Sequence, residues 1–143
     1  MKLRHYILGI IILFLDQFTK ILVINKKISI ISNFLEFNYT ENVAGAFGIG
    51  TRHMVLLLSI IIIIGLITFI IKEKKNIKYY TPFILILSGS LGNLIDRIFR
   101  GYVIDFIDIN VLNFPNFNIS DICITSGMML LLIYYCKKTT KDA

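Results

Sequence analysis

From Met54 to Ile71 the chain runs 18 positions without a charged residue, and Ile60 to Ile64 is an unbroken row of isoleucines. At 1.5 Å per residue a helix of that length covers about 27 Å, close to the ~30 Å hydrocarbon core of a bilayer. A helix on the surface of a soluble protein needs a polar face, and this segment has none. Three further apolar runs have similar length. One covers about 6–24 and is interrupted by Asp16 and Lys20. Another covers 80–99, with Pro82 near its start and Asp96 and Arg97 near its end. The last runs from Asp121 to Cys136. The pattern predicts an all-α polytopic membrane protein, four transmembrane helices making residues 1–143 a single membrane-embedded domain.

The composition agrees: 56% of residues are hydrophobic and 17% charged, with no Trp, against roughly 25% charged in a soluble domain. Such a chain is neither disordered nor a disulfide-stapled secreted module. Its net charge of +6 does not indicate a nucleic-acid partner, because the basic residues cluster between the apolar runs. Nine of the 15 Lys and Arg (Lys2, Arg4, Lys72, Lys74, Lys75, Lys78, Lys137, Lys138, Lys141) fall on the side that four spans give to both termini. The positive-inside bias places that side in the cytoplasm and the loops 25–53 and 100–120 outside. The first span imitates a signal peptide, but no small-x-small cleavage site follows and the apolar pattern resumes at Ile21, so it is read as retained. Cys123 and Cys136 lie in one apolar run, too far apart along a helix for a disulfide, and read as apolar fillers.

In the first outer loop, Leu35, Phe37 and Tyr39 alternate with Glu36, Asn38 and Thr40, the period of a strand with one apolar face. Residues 102–112 are similarly rich in β-branched and aromatic side chains. A small β-rich extracytoplasmic platform is expected.

Ionisable groups inside apolar spans cost at least ~2.5–3.5 kcal/mol each at mid-membrane, so their positions carry information. Asp16 and Lys20, four apart, suit an intrahelical pair that anchors helix packing. Ser88 and Gly92 have the small-xxx-small spacing that admits a neighbouring helix. Asn93 and Arg97 share a face, from which amide and guanidinium could converge on one acceptor. Asp96 reads as charge balance against Arg97 or Lys20. Asp105, framed by apolar residues, and Asp121, at the start of the last run, have the ingredients of a carboxylate dyad sharing one proton. Spacing leaves Asp108 as a rival to Asp105, and leaves Asp121 or Asn118 as a helix cap. His5 and His53 stand alone, so no metal site is indicated.

Five segments together resemble the lipoprotein signal peptidase (signal peptidase II) family: Asp16-Gln17-Phe18-Thr19-Lys20, Asn42 to Gly48, Gly92-Asn93-Leu94-Ile95-Asp96-Arg97, Val103 to Ile107, and Phe117-Asn118-Ile119-Ser120-Asp121. The resemblance covers nearly the whole chain. It implies an intramembrane aspartyl endopeptidase of the bacterial cytoplasmic (inner) membrane that matures lipoproteins without a cofactor. Its substrate would be a prolipoprotein cleaved on the N-terminal side of a diacylglyceryl-modified cysteine. Its partners would be that substrate and membrane lipids, with no nucleic acid. The resemblance puts the catalytic pair on Asp105 and Asp121 and substrate-lining residues on Asn42, Asn93, Arg97 and Asn118. Asp16, Lys20, Gly45 and Asp96 become structural, and residues 35–39 would cover the site. Ala44 and Gly45 stand exchanged relative to the family pattern, and Ser88 and Ser120 replace Gly and Ala. The alternative from another class is a small transporter or channel subunit using Asp16, Lys20, Asp96 and Arg97 as an ion pathway. That class more often shows inverted repeats or broken helices, and no internal repeat is present here.

Overall fold

A computed structural model of the chain describes residues 3–32, 34–44, 50–72, 80–110 and 114–142. The elements in order are α1 (Leu3–Val23), β1 (Lys27–Ile31), β2 (Leu35–Asn42), α2 (Arg52–Lys72), α3 (Tyr80–Phe99), β3 (Val103–Ile109) and α4 (Ile119–Asp142). Each of the four helices is long and apolar enough to cross a membrane.

Helix α3 is the centre, packed against α1, α2 and α4. Among the described residues it is the only helix with small and polar residues buried along most of its length, including Ser88, Gly89, Gly92, Asn93 and Asp96. A Cβ on Gly89 would stand 2.4 Å from the Ser120 carbonyl oxygen, so α4 approaches backbone to backbone. In lipid, where apolar side chains gain nothing by leaving their surroundings, such close contact is what holds helices together. On α1 a buried stripe of Ile12, Asp16, Lys20 and Val23 faces the bundle, while Ile10, Phe14, Phe18 and Ile21 face outward. On α2 Ile63 is the one buried residue, and the helix packs substantially against α3 alone.

The three strands form an antiparallel sheet of order β1-β2-β3. In β2 and β3 Phe37 pairs with Ile107 and Thr40 with Asp105, so Asn38 and Tyr39 lie opposite Phe106 alone, a bulge that sharpens the local twist. Ile104 and Phe106 pack with Val23 at the end of α1, and the Phe37 ring meets Phe106 edge-on at 5.4 Å. The alternation from Leu35 to Thr40 predicts β2. Nothing in Lys27–Ile31 announces β1, whose residues are all exposed. Cys123 and Cys136 are free thiols.

Candidate functional site

Asp96 closes α3 and starts β3. Its carbonyl accepts from the amides of Arg100 (2.8 Å) and Gly101 (3.1 Å), and Gly101 takes the left-handed conformation at φ 84° that such a helix end favours. Its carboxylate Oδ2 accepts from the Ile104 amide at 3.1 Å. On the far side of β3, Phe117 and Ile107 exchange backbone hydrogen bonds at 2.8 and 3.1 Å, which sets Asn118 beside Asp105 at the entrance to α4. Asn118 and Asp121 then make a reciprocal capping box. The Asp121 amide donates to Asn118 Oδ1 at 2.9 Å, and the Asn118 amide donates to Asp121 Oδ2 at 3.1 Å. Asn118 is therefore the cap, with Asp121 completing it.

Lys20, with a side chain at 0% exposure, spends its ammonium on three acceptors: Asp16 Oδ2 and Asp96 Oδ2, each at 2.9 Å, and Asn93 Oδ1 at 3.1 Å. Asp16 Oδ1 accepts from the Ser120 amide at 2.9 Å, which ties α4 to α1. Asp96 is also paired with Arg100. Two cations against two carboxylates, each hydrogen-bonded, make a neutral buried cluster of the kind that survives desolvation. Gln17 bridges it, donating to Asp96 Oδ1 at 3.0 Å and accepting from Arg100 at 3.0 Å. The Asp16–Lys20 pair appears as its spacing predicts. Asp96, however, takes Lys20 and Arg100 as partners and not Arg97, because Arg97 turns toward a groove on the other side of α3. Nor do Asp16, Lys20, Asp96 and Arg97 line a shared pathway: the first three are sealed against one another at 0% exposure.

That groove, of about 880 Å³, runs between α2 and α4 over the surface of α3. At the sheet end its walls carry Asn42, Asn93, Arg97, Asp105 and Asp121. About two helical turns deeper they are apolar: Leu58 and Ile62 on α2, Ile86 on α3, Met128 on α4, with the hydroxyls of Ser59, Ser90 and Thr125 between. Asp105 and Asp121 both face it and are linked through two amides. Asn118 Nδ2 donates to Asp105 Oδ1 at 2.6 Å and to Asn93 Oδ1 at 3.1 Å, and Asn93 Nδ2 donates to Asp121 Oδ1 at 2.8 Å. Asn42 Nδ2 donates to Asp105 Oδ2 at 2.9 Å. Among the described residues neither carboxylate is in an ion pair. Burial pushes the Asp105 carboxyl up to about 6; the nearby Asp121 charge adds to this, and the Asn42 and Asn118 hydrogen bonds oppose it.

The site thus gathers Asn42, Asn93, Arg97, Asp105, Asn118 and Asp121. Asp108 lies apart from the groove lining, accepting from Asn38 Nδ2 at 3.0 Å. Asn93 and Arg97 do not converge on one acceptor: the Arg97 guanidinium donates to the Asn93 carbonyl at 3.3 Å while the Asn93 amide serves Asp121. Residues 35–39 are absent from the described lining, which on that side comes from Asn42 and from Phe114 to Phe117. Gly45 lies outside the described residues. Sequence reasoning passed over Gln17 and Arg100. Arg100, four residues after Asp96, had the helical pairing distance as its signal.

Fold and site together define a polytopic membrane protein with two amide-linked carboxylates facing one groove between helices. The family model for signal peptidase (SPase) II matches residues 8–137. The chain is 40% identical to the lipoprotein signal peptidase of Clostridium novyi, covering 96% of this chain and 99% of that one. It is 37% identical to that of Halalkalibacterium halodurans over 89% of each. A bacterial membrane enzyme solved by the in meso method at 2.3 Å resolution superposes with a TM-score of 0.90 at 31% identity, covering 98% of this chain and 92% of that chain. By these matches the chain belongs to the signal peptidase II family of membrane proteases.

Proposed function

We propose that the chain is an intramembrane aspartyl endopeptidase that removes the signal peptide from diacylglyceryl-modified prolipoproteins, cutting on the N-terminal side of the lipidated cysteine. The observation that carries this reading is the pair Asp105 and Asp121, facing one groove, held by neutral amides and, among the described residues, in no ion pair. Two such carboxyls share a proton near neutrality. One takes a proton from water as the water oxygen attacks the scissile carbonyl, while the other protonates the carbonyl oxygen. Collapse of the tetrahedral intermediate returns a proton to the leaving amine. The reaction needs no metal or cofactor.

The signal helix enters between α2 and α4 and lies along α3, leaving the lipid chains in hydrocarbon. Burial worth about 0.8 kcal/mol per CH₂ keeps them there. Asn42, Asn93, Arg97 and Asn118 orient the peptide and the dyad. The positive-inside bias sets both termini in the cytoplasm, and hence the sheet and the dyad at the outer face of the bacterial cytoplasmic membrane. Residues 1–143 act as one domain.

The test is cleavage of a diacylglyceryl-modified prolipoprotein by purified protein, wild type against Asp105→Asn, Asp121→Asn and Asp108→Asn, each checked for folding. The first two should lose at least about a hundredfold in rate, and the third should cleave normally. Normal cleavage by either of the first two would overturn the dyad.

A further inference from the structure

Lys20 is walled off from the groove, yet one of its three hydrogen bonds leads there. Lys20 Nζ and Asn118 Nδ2 both donate to Asn93 Oδ1, each at 3.1 Å. Two converging donors fix that atom as the amide oxygen, and so aim the Asn93 NH₂ at Asp121 Oδ1. With the amide turned over, its NH₂ would face an ammonium and another amide donor, and its oxygen would face a carboxylate. A cation donating to the oxygen also polarises the amide and strengthens the hydrogen bond that its NH₂ donates to Asp121.

We propose that Lys20 is a positioning residue for the dyad: through Asn93 it holds Asp121 as the ionised carboxylate and leaves the shared proton on Asp105 Oδ2. This rests on the aspartyl reading above. Both donors to Asp121 are immobile. One is the Asn93 amide, and the other is the backbone N–H of Asn118 at the N-terminal end of α4, where helix dipoles favour negative charge. Each Asp121 oxygen thus accepts from a fixed donor, which favours the charged form. Asp105 differs. Its Oδ2 is met by Asn42, whose amide makes no other side-chain hydrogen bond among the described residues and can rotate to present its oxygen.

The charged groups that interact with Asp121 are Lys20 and Asp16 from α1, Arg97 from α3, and Asp105 from β3. The groove residues of α2 (Met54, Val55, Leu58, Ser59, Ile62) do not titrate. Lys20 and Arg100 offset Asp16 and Asp96, so Lys20 acts through its bond to Asn93 more than through net charge.

The experiment labels the aspartate carboxyl carbons of the full-length protein with ¹³C in lipid nanodiscs and titrates each by NMR. Asp105→Asn and Asp121→Asn supply the assignments. In the wild type, Asp121 should lose its proton at lower pH than Asp105. The double variant Asp16→Asn/Lys20→Gln removes one charge of each sign and leaves an oxygen for the Ser120 amide. It should raise the Asp121 titration by about one unit and shift the acid limb of kcat/KM for the lipidated prolipoprotein equally. Asp121 titrating after Asp105 in the wild type overturns the proposal, whether or not the double variant folds. So does a folded double variant that moves neither quantity. The NMR readout needs no turnover, so the expected order in a wild type that cleaves no lipidated prolipoprotein would overturn the peptidase reading alone.

Discussion

Replacing Asp105 by Asn should make the protein more stable in a pH-dependent way while removing its cleavage activity. Asp105 is 3% exposed, and its carboxyl is pushed from the ordinary 3.8 up to about 6, chiefly by burial. For an acid the folded state then binds the proton more tightly than the unfolded state does. Stability from this group is unaffected below about pH 4, falls as pH rises toward 6, and is reduced in full above that. Two units at 1.36 kcal/mol each make the reduction about 3 kcal/mol, an upper figure for the gain from removing the charge. Asn at 105 keeps an oxygen for Asn118 Nδ2, and the Asn42 amide can rotate so that its oxygen accepts from the new NH₂. Far-UV circular dichroism melts of both proteins in one detergent at pH 4, 5, 6, 7 and 8 test this, since the chain has no Trp to follow by fluorescence. The Asn variant's melting temperature should match the wild type's at pH 4 and exceed it by several degrees at pH 7. Parallel curves, or a variant less stable at pH 7, would refute the reasoning.

Two further outcomes follow from the packing of α3 on α4. Ser120 Oγ is buried without a hydrogen-bond partner among the described residues, so Ser120→Ala should raise stability by about 1 kcal/mol, read as a higher melting temperature. Gly92→Ala would place a Cβ 2.2 Å from Ser120 Oγ and 2.7 Å from Asp16 Oδ2. It should cost about 1–3 kcal/mol, and adding Ser120→Ala should recover part of that loss.

The spans were legible because a bilayer demands length and apolarity, which a sequence displays openly. The Asp16–Lys20 pair was legible because both residues share one helix. Asp96 was harder: its partners Lys20 and Gln17 lie on α1, and only tertiary packing brings them near. Asp105 and Asp108, three apart on a strand, point to opposite faces, and no spacing rule says which face meets the helices. The bridge from Phe117 to Ile107 decides it by setting Asn118 against Asp105. Strand β1 escaped because a fully exposed edge strand leaves no burial pattern to read.

The groove between α2 and α4 has a thermodynamic consequence in a bilayer. Its deeper walls, Leu58, Ile62, Ile86 and Met128, are wetted by acyl chains whenever no polypeptide lies there. An arriving apolar helix then exchanges one hydrocarbon for another, and its leucines and valines gain almost nothing in transfer free energy. On the proposed reading, selectivity falls to what lipid tails cannot imitate: hydrogen bonds at the polar end, where Asn42, Asn93 and Arg97 line the groove, and shape fit along the walls. Signal helices of very different apolar sequence should therefore compete on nearly equal terms, with discrimination confined to the few residues around the cleavage point.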